Sequence, residues 1–222
     1  MKQLLTTIVV ALLVGCEPPT KDIKEAVRQE NFEAVKQFIA AGVDVNVKDR
    51  SGSTPLHWAA TKVMAELLIA NGADINAQRN DRWTPLHWAI SQEIEFAELL
   101  MANGADVNAQ RNDRWTPLHW AISQEIEFAE LLIANGADVN AETVDGWTPL
   151  HQAAYMELAE SAELLIASGA NINVKSYYLQ TRERRGDQTP LEVAIESGDT
   201  KIVDLLRKHG GKTSEQLKAE AK

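Results

Sequence analysis

The chain reads as an all-α solenoid: stacked helix-turn-helix units with projecting β-hairpin-like loops. Two observations predict this. Thr-Pro-Leu-His stands at Thr54–His57, Thr84–His87, Thr116–His119 and Thr148–His151, with an altered copy at Thr189-Pro190-Leu191-Glu192. The threonines are 30, 32, 32 and 41 residues apart, and a period of that length marks supersecondary units that bury their faces on one another. The second observation is a copied block. Asn76–Leu100 recurs residue for residue as Asn108–Leu132. A chain of 222 residues would otherwise suggest one or two globular domains, but a solenoid builds its core between neighbours and has no such limit.

Each element of a unit follows from local chemistry. Thr suits a helix N-cap and Pro the first helical position, which places His at the third. Leu86, Ala89 and Ile90 then share one face of a short helix. A second apolar run, Phe96-Ala97-Glu98-Leu99-Leu100-Met101-Ala102, predicts a second helix that stops at Asn103-Gly104, where Gly can take the left-handed conformation. Ala105-Asp106-Val107-Asn108-Ala109 leads into a polar turn, Gln110-Arg111-Asn112-Asp113-Arg114. Small Ala residues at packing positions let paired helices approach closely.

These residues resemble the ankyrin repeat: Thr-Pro-Leu-His-x-Ala-Ala, a Leu-Leu pair, and Gly-Ala-Asp-Val-Asn-Ala. The resemblance runs over 21–213 and divides into units 21–53, 54–83, 84–115, 116–147, 148–188 and 189–213. The first unit lacks the Thr-Pro start and carries Lys21, Lys24, Glu25, Arg28 and Gln29, as suits a polar cap. Thr213-Ser214-Glu215-Gln216 has capping-box spacing and predicts a short C-terminal helix within 214–222. Measured against the family pattern, unit 54–83 is three residues short between its helices, and units 84–115 and 116–147 are each one short. Either those turns tighten or a helix loses part of a turn. Unit 148–188 instead gains eight residues in its loop, around 176–188.

The N-terminus has a different character. Lys2 precedes a mostly apolar stretch, Leu4–Val14, about as long as a signal-peptide core and short for a bilayer span. The single cysteine follows in Leu13-Val14-Gly15-Cys16. This resembles the lipobox of bacterial lipoproteins, with 1–15 as signal peptide and 16–20 as lipidated Cys and short tether. The resemblance implies acylation of Cys16, which would leave no free thiol in the mature chain and so no disulfide. Several acyl chains on one residue give stable anchoring where one would not. In such lipoproteins an Asp after the Cys signals inner-membrane retention, so Glu17 points to the outer membrane, with the domain in the periplasm. A buried structural Cys is the alternative, and it fits poorly because Cys16 lies outside every repeat.

His57, His87, His119 and His151 recur too far apart to share a metal, because stacked helices lie about 8–10 Å apart and ligands of one zinc sit about 2 Å from it. They are expected to hydrogen-bond loops and caps, and His209 is also expected to be structural. No metal and no cofactor is implied. Six tryptophans fall in two rows. Trp58, Trp88 and Trp120 follow the repeat histidine and are expected to pack. Trp83, Trp115 and Trp147 precede the repeat threonine, a position that the ankyrin resemblance places on the concave, partner-facing side. Tryptophan there suits a binding hot spot, with packing as the alternative. Arg79, Arg82, Arg111 and Arg114 lie beside this second row, where stacking and bidentate hydrogen bonding could complete a recognition edge. A solvated loop face is the plainer reading. The 176–188 loop, with Tyr177, Tyr178, Arg182 and Arg184, is locally basic and aromatic. It is either a partner or headgroup contact or a neutral insertion.

The chain carries no Gly-rich phosphate loop, nucleophile elbow or zinc-protease helix motif. Its net charge of −10 disfavours nucleic acid and anionic lipid headgroups. The expected function is therefore a non-enzymatic, monomeric protein-interaction module. It would be lipid-anchored in the bacterial envelope and bind a protein partner through the concave face and loops. Two alternatives stand beside it: an envelope spacer without a specific partner, and a small-ligand-binding or enzymatic protein using the 176–188 loop.

Overall fold

The computed structural model describes residues 22–177 and 188–221. Six second helices, Phe32–Ala40, Lys62–Ala70, Ile94–Ala102, Ile126–Ala134, Ala159–Ala167 and Thr200–Lys208, are each nine residues long. Apolar spacing of three and four residues places Met64/Ala65/Leu68, Phe96/Ala97/Leu100 and Phe128/Ala129/Leu132 on one buried stripe of their helices. Gly72, Gly104 and Gly136 follow at φ of 86°, 89° and 88°, and turn the chain out of the helix in the left-handed region. Each helix pair stacks on the next, and one continuous core runs from Ile23 to Leu206. The fold is the all-helical repeat solenoid. No strand is formed among the described residues, only one antiparallel bridge between Ser176 and Gln188.

The first helices are not uniform. After the six-residue Ile23–Arg28 of the first unit, they drop to a four-residue 3₁₀ turn, Pro55–Trp58, and then lengthen through Pro85–Ala89 and Pro117–Ala121 to Pro149–Tyr155 and Pro190–Ser197. Residue shortage between the helices is thus absorbed by the first helix. The shortest unit leaves the helix at once, with Ala59 already extended (ψ 133°). Its Leu56 is still fully buried, as are Leu86, Leu118 and Leu150. Carboxylates from both neighbouring units hold the trimmed turn. Thr61 Oγ1 donates to Glu30 Oε2 (2.8 Å), and the Lys62 N–H donates to Glu93 Oε2 (3.3 Å).

Between units, each polar loop closes as a small finger. The N–H groups of Asp49, Arg79, Arg111 and Thr143 donate to the carbonyls of Ser53, Trp83, Trp115 and Trp147 at 2.9–3.0 Å. A second bond crosses each tip, from the N–H groups of residues 52, 82, 114 and 146 back to the carbonyls of the same four. This is the three-residue hairpin loop whose last residue must be left-handed. Fingers are stitched to one another as well. Asn80 N donates to Ser51 O, Asn112 N to Asp81 O, Val144 N to Asp113 O and Tyr177 N to Asp145 O. Beyond the last finger, Thr213 and Gln216 form a capping box and the chain ends in a helix at Ser214–Glu220.

Candidate functional site

Four histidines form the polar interior of the stack. In each unit the Thr N–H and hydroxyl meet His Nδ1: Thr54 with His57 at 3.2 and 3.0 Å, Thr116 with His119 at 3.3 and 2.9 Å, Thr148 with His151 at 3.1 and 2.9 Å. An N–H donating to Nδ1 leaves the ring proton on Nε2. That proton reaches the residue just before the next unit's threonine. His57 Nε2 donates to the Trp83 carbonyl (3.0 Å), His119 to Trp147 (3.2 Å) and His151 to Gln188 (3.0 Å). His87 Nε2 lies near the Trp115 carbonyl outside good hydrogen-bond geometry. Burial pushes His87, His119 and His151 down to about 4, and it lowers His57 too. These rings are neutral clasps that tie each first helix to the residue leading into the next unit, and only His87 leaves a ring nitrogen without a hydrogen-bond partner among the described residues. Glu192 in the altered copy takes over the same cap. It accepts from Thr189 N (2.8 Å) and from Ser214 N and Oγ (2.9 and 2.8 Å), so the clasp closes on the C-terminal helix.

A second row of clasps gave no usable signal in the sequence. Asn46, Asn76, Asn108, Asn140 and Asn173 each reach one unit onward. Asn108 Nδ2 donates to Gly136 O (3.1 Å) while its Oδ1 accepts from Asp138 N (2.8 Å), and Asn76 does the same with Gly104 and Asp106. The one available hint was that Asn recurs after Val or Ile in each of the first five units.

The tryptophans lie on the face formed by first helices and fingers, and the two rows interleave. Trp83, Trp115 and Trp147 are half-buried, each tilted on the histidine four residues on, at the start of the next unit, at 5.2, 5.5 and 5.8 Å. Trp83 also meets Trp120 edge-on at 5.4 Å, and Trp147 meets Tyr155 at 5.6 Å. In the first row Trp58 packs edge-on against Trp88 (6.3 Å) beneath Arg28 (3.8 Å), and Trp88 Nε1 donates to Ala59 O (2.9 Å). The first row is thus packing, and the second joins packing to a surface. Tyr155, 64% exposed, and Met156 extend that surface.

The arginines differ from one another. Arg79 and Arg111 are half-buried and lie 3.5 and 3.4 Å from Asp81 and Asp113, and Arg111 covers the Trp83 ring at 5.0 Å. Arg82 and Arg114 are exposed and have no ion pair or side-chain hydrogen bond among the described residues. They occupy the left-handed tip positions, at φ of 65° and 64°. Glycine fills those positions in the flanking fingers, Gly52 at 80° and Gly146 at 70°. At Gly52 a side chain would meet Asn80 Oδ1 at 2.8 Å, and at Gly146 it would meet the Tyr177 ring at 3.0 Å. Tyr177, half-exposed, thus seats on the last short finger. Tyr178, Arg182, Arg184 and Cys16 lie outside the described residues. Among the described residues no group of His, Cys, Asp and Glu could hold a metal ion, and no helix is long and apolar enough to cross a membrane.

Helix pairs clasped unit to unit, with an aromatic face beside projecting fingers, define a repeat-built interaction scaffold. The family model for ankyrin repeats (3 copies) matches residues 23–111 and 94–176, well over half of the chain. The chain belongs to the ankyrin-repeat family, whose members are typically non-enzymatic modules of protein–protein interaction. A 48-residue stretch is 41% identical to Acyl-CoA-binding domain-containing protein 4 of Oryza sativa subsp. japonica. That stretch is 22% of this chain and only 14% of that protein.

Proposed function

We propose that this ankyrin array is a lipid-anchored module of the bacterial cell envelope that captures a protein partner on its concave face. One observation carries the capture reading. Trp83 and Trp115 are half-buried and directly follow the exposed Arg82 and Arg114, and Trp147 is half-buried one unit further on. Tryptophan and arginine dominate interface energetics when they sit together at the centre of a contact. The units 21–53 to 189–213 then serve as a ruler that spaces these groups, with Tyr177 and the rest of the 176–188 loop (Tyr178, Arg182, Arg184) as a flanking contact. The anchor reading rests on the sequence 1–20. Residues 1–15 act as signal peptide, Cys16 is acylated, and the four residues 17–20 reach at most about 14 Å, so the array works close to the outer membrane, on its periplasmic side.

Crosslinking in the native host, followed by affinity capture, tests the contact. Trp83→Ala with Trp115→Ala should remove the main crosslinked adduct, while circular dichroism shows the array still folded. An adduct pattern identical to the parent would end this reading. The anchor is tested apart from it: processing that ignores globomycin, or a Cys16→Ala chain that stays membrane-bound, excludes lipidation at Cys16.

A further inference from the structure

The chemistry of that partner follows from three features of the two copied fingers. The first is charge. Gln78–Trp83 and Gln110–Trp115 have the same sequence, Gln-Arg-Asn-Asp-Arg-Trp, each with two arginines to one aspartate. One arginine of each pair faces its aspartate, which leaves Arg82 and Arg114 as cations without an ion pair among the described residues, in a chain of net charge −10. The second is donor excess. Around these fingers Trp83 Nε1, His87 Nε2, Arg111 Nε and Trp120 Nε1 are buried with no hydrogen-bond acceptor among the described residues, and Arg79 Nε has only the Asp81 carboxylate at 3.5 Å. Every one of these unmet groups is a nitrogen, and none is an acceptor oxygen. The third is conformation. Arg82 and Arg114 occupy a backbone state that neighbouring fingers assign to glycine, and such outliers concentrate at functional sites.

Because the block is an unaltered copy, whatever one finger recognises the next recognises again, one unit further on. Stacked units repeat at about 10 Å, and an extended chain advances about 3.3 Å per residue, so the two subsites match residues three apart. We propose that this face binds an extended acidic protein segment carrying carboxylates at every third residue. One carboxylate sits on Arg82 and the next on Arg114, and the residues between them lie over Trp83, Trp115 and Trp120. This rests on the concave-face reading above and adds the partner's charge and spacing. Arginine suits the role, because its planar fork takes a carboxylate in two parallel hydrogen bonds.

The test uses the full chain in detergent and a fluorescein-labelled twelve-residue peptide with Asp at every third position among serines. Anisotropy should show saturable binding that weakens as salt rises. A peptide with the same composition but its aspartates contiguous should bind about tenfold more weakly, and a Lys-for-Asp peptide should not bind. Arg82→Gly with Arg114→Gly should cost at least about tenfold in affinity for the spaced peptide. Its thermal midpoint should stay level or rise, because glycine is the residue that the flanking tips already use. Equal binding of the contiguous or lysine peptide, tighter binding of a twelve-nucleotide oligothymidylate, or full affinity in the double variant would each overturn the proposal. Capture in the host separates the two readings. An adduct lost with Trp83 and Trp115 but kept in the double-glycine variant ends the acidic-segment inference and leaves the interaction reading standing. An adduct kept in both variants ends both.

Discussion

The clasp rows and the finger tips sit a few residues apart in every unit, yet they obey opposite rules. The clasps repeat with little change. His57, His119 and His151 all hold Thr with Nδ1 and, with Nε2, the carbonyl just before the next unit's threonine. Where the histidine is replaced, Glu192 keeps the cap. The tips vary: Gly52, Arg82, Arg114 and Gly146 occupy one backbone state with two very different side chains. A buried group that bonds in two directions has little room for substitution, because removing either partner strands the other. An exposed tip is constrained only by its φ. The most conspicuous repeated motif therefore specifies stacking, and specificity is left to the positions beside it.

The largest expected effect breaks the clasp row with acid. His87, His119 and His151 stay neutral in the fold down to about 4, whereas the unfolded rings protonate near 6.5. Above pH 6.5 neither state binds these protons, and their contribution to stability is fully present. Between 6.5 and 4 the unfolded chain binds protons that the fold excludes, so stability falls as pH falls. Each histidine contributes about 3 kcal/mol over that window, and the three together rival the whole stability of a typical domain. Urea titrations at pH 7, 6, 5 and 4.5 should show the midpoint dropping steadily. A midpoint that holds until carboxylates titrate below pH 4 would show that the clasps do not govern stability.

Single clasps come next. His119→Ala leaves the Thr116 N–H and the Trp147 carbonyl without a partner and opens a small cavity. It should cost about 3–4 kcal/mol and flatten the acid dependence between pH 6.5 and 4. Asn108→Ala removes two bonds at a site nearer solvent, with a smaller loss of about 1–2 kcal/mol in urea unfolding. The order matters more than the values: if Asn108→Ala is the more damaging, the exposed ladder carries the stack and the buried histidines do not.

These contrasts also explain what the sequence could and could not say. The fold was legible because caps are local. Thr-Pro at a helix start and Asn-Gly at its end state their purpose within four residues. The first helices' shortfall was legible as missing residues, but its location was not, since a tighter turn and a shorter helix use the same number of residues. The asparagine ladder was silent. Asn108 bonds to backbone atoms of Gly136 and Asp138, and backbone acceptors have no residue signature. The tip conformation was hidden for another reason. Arginine carries no turn propensity, and only its alignment with Gly52 and Gly146 shows that 82 and 114 must be left-handed. The Trp83/Trp115/Trp147 row was legible as a set, but its interleaving with Trp120 and Tyr155 depends on how units stack.

The smallest effect has the most diagnostic sign. A non-glycine residue in the left-handed region costs about 1–2 kcal/mol, and replacing it with glycine returns that strain. Glycine also loosens the unfolded chain, which takes back about 0.4–1 kcal/mol. Arg82 makes no compensating ion pair or side-chain hydrogen bond among the described residues, so nothing else is lost. Arg82→Gly should therefore stabilise the array slightly, by about 0.5–1 kcal/mol in chemical denaturation, and Arg114→Gly should match it because the two fingers share one sequence. A stabilising change toward the residue that flanking fingers already use means that arginine stands at 82 and 114 at the expense of stability, which is the pattern of a side chain kept for contact. A loss of 1 kcal/mol or more would instead place the guanidinium in the fold's own network, and the tips would then belong with the clasps.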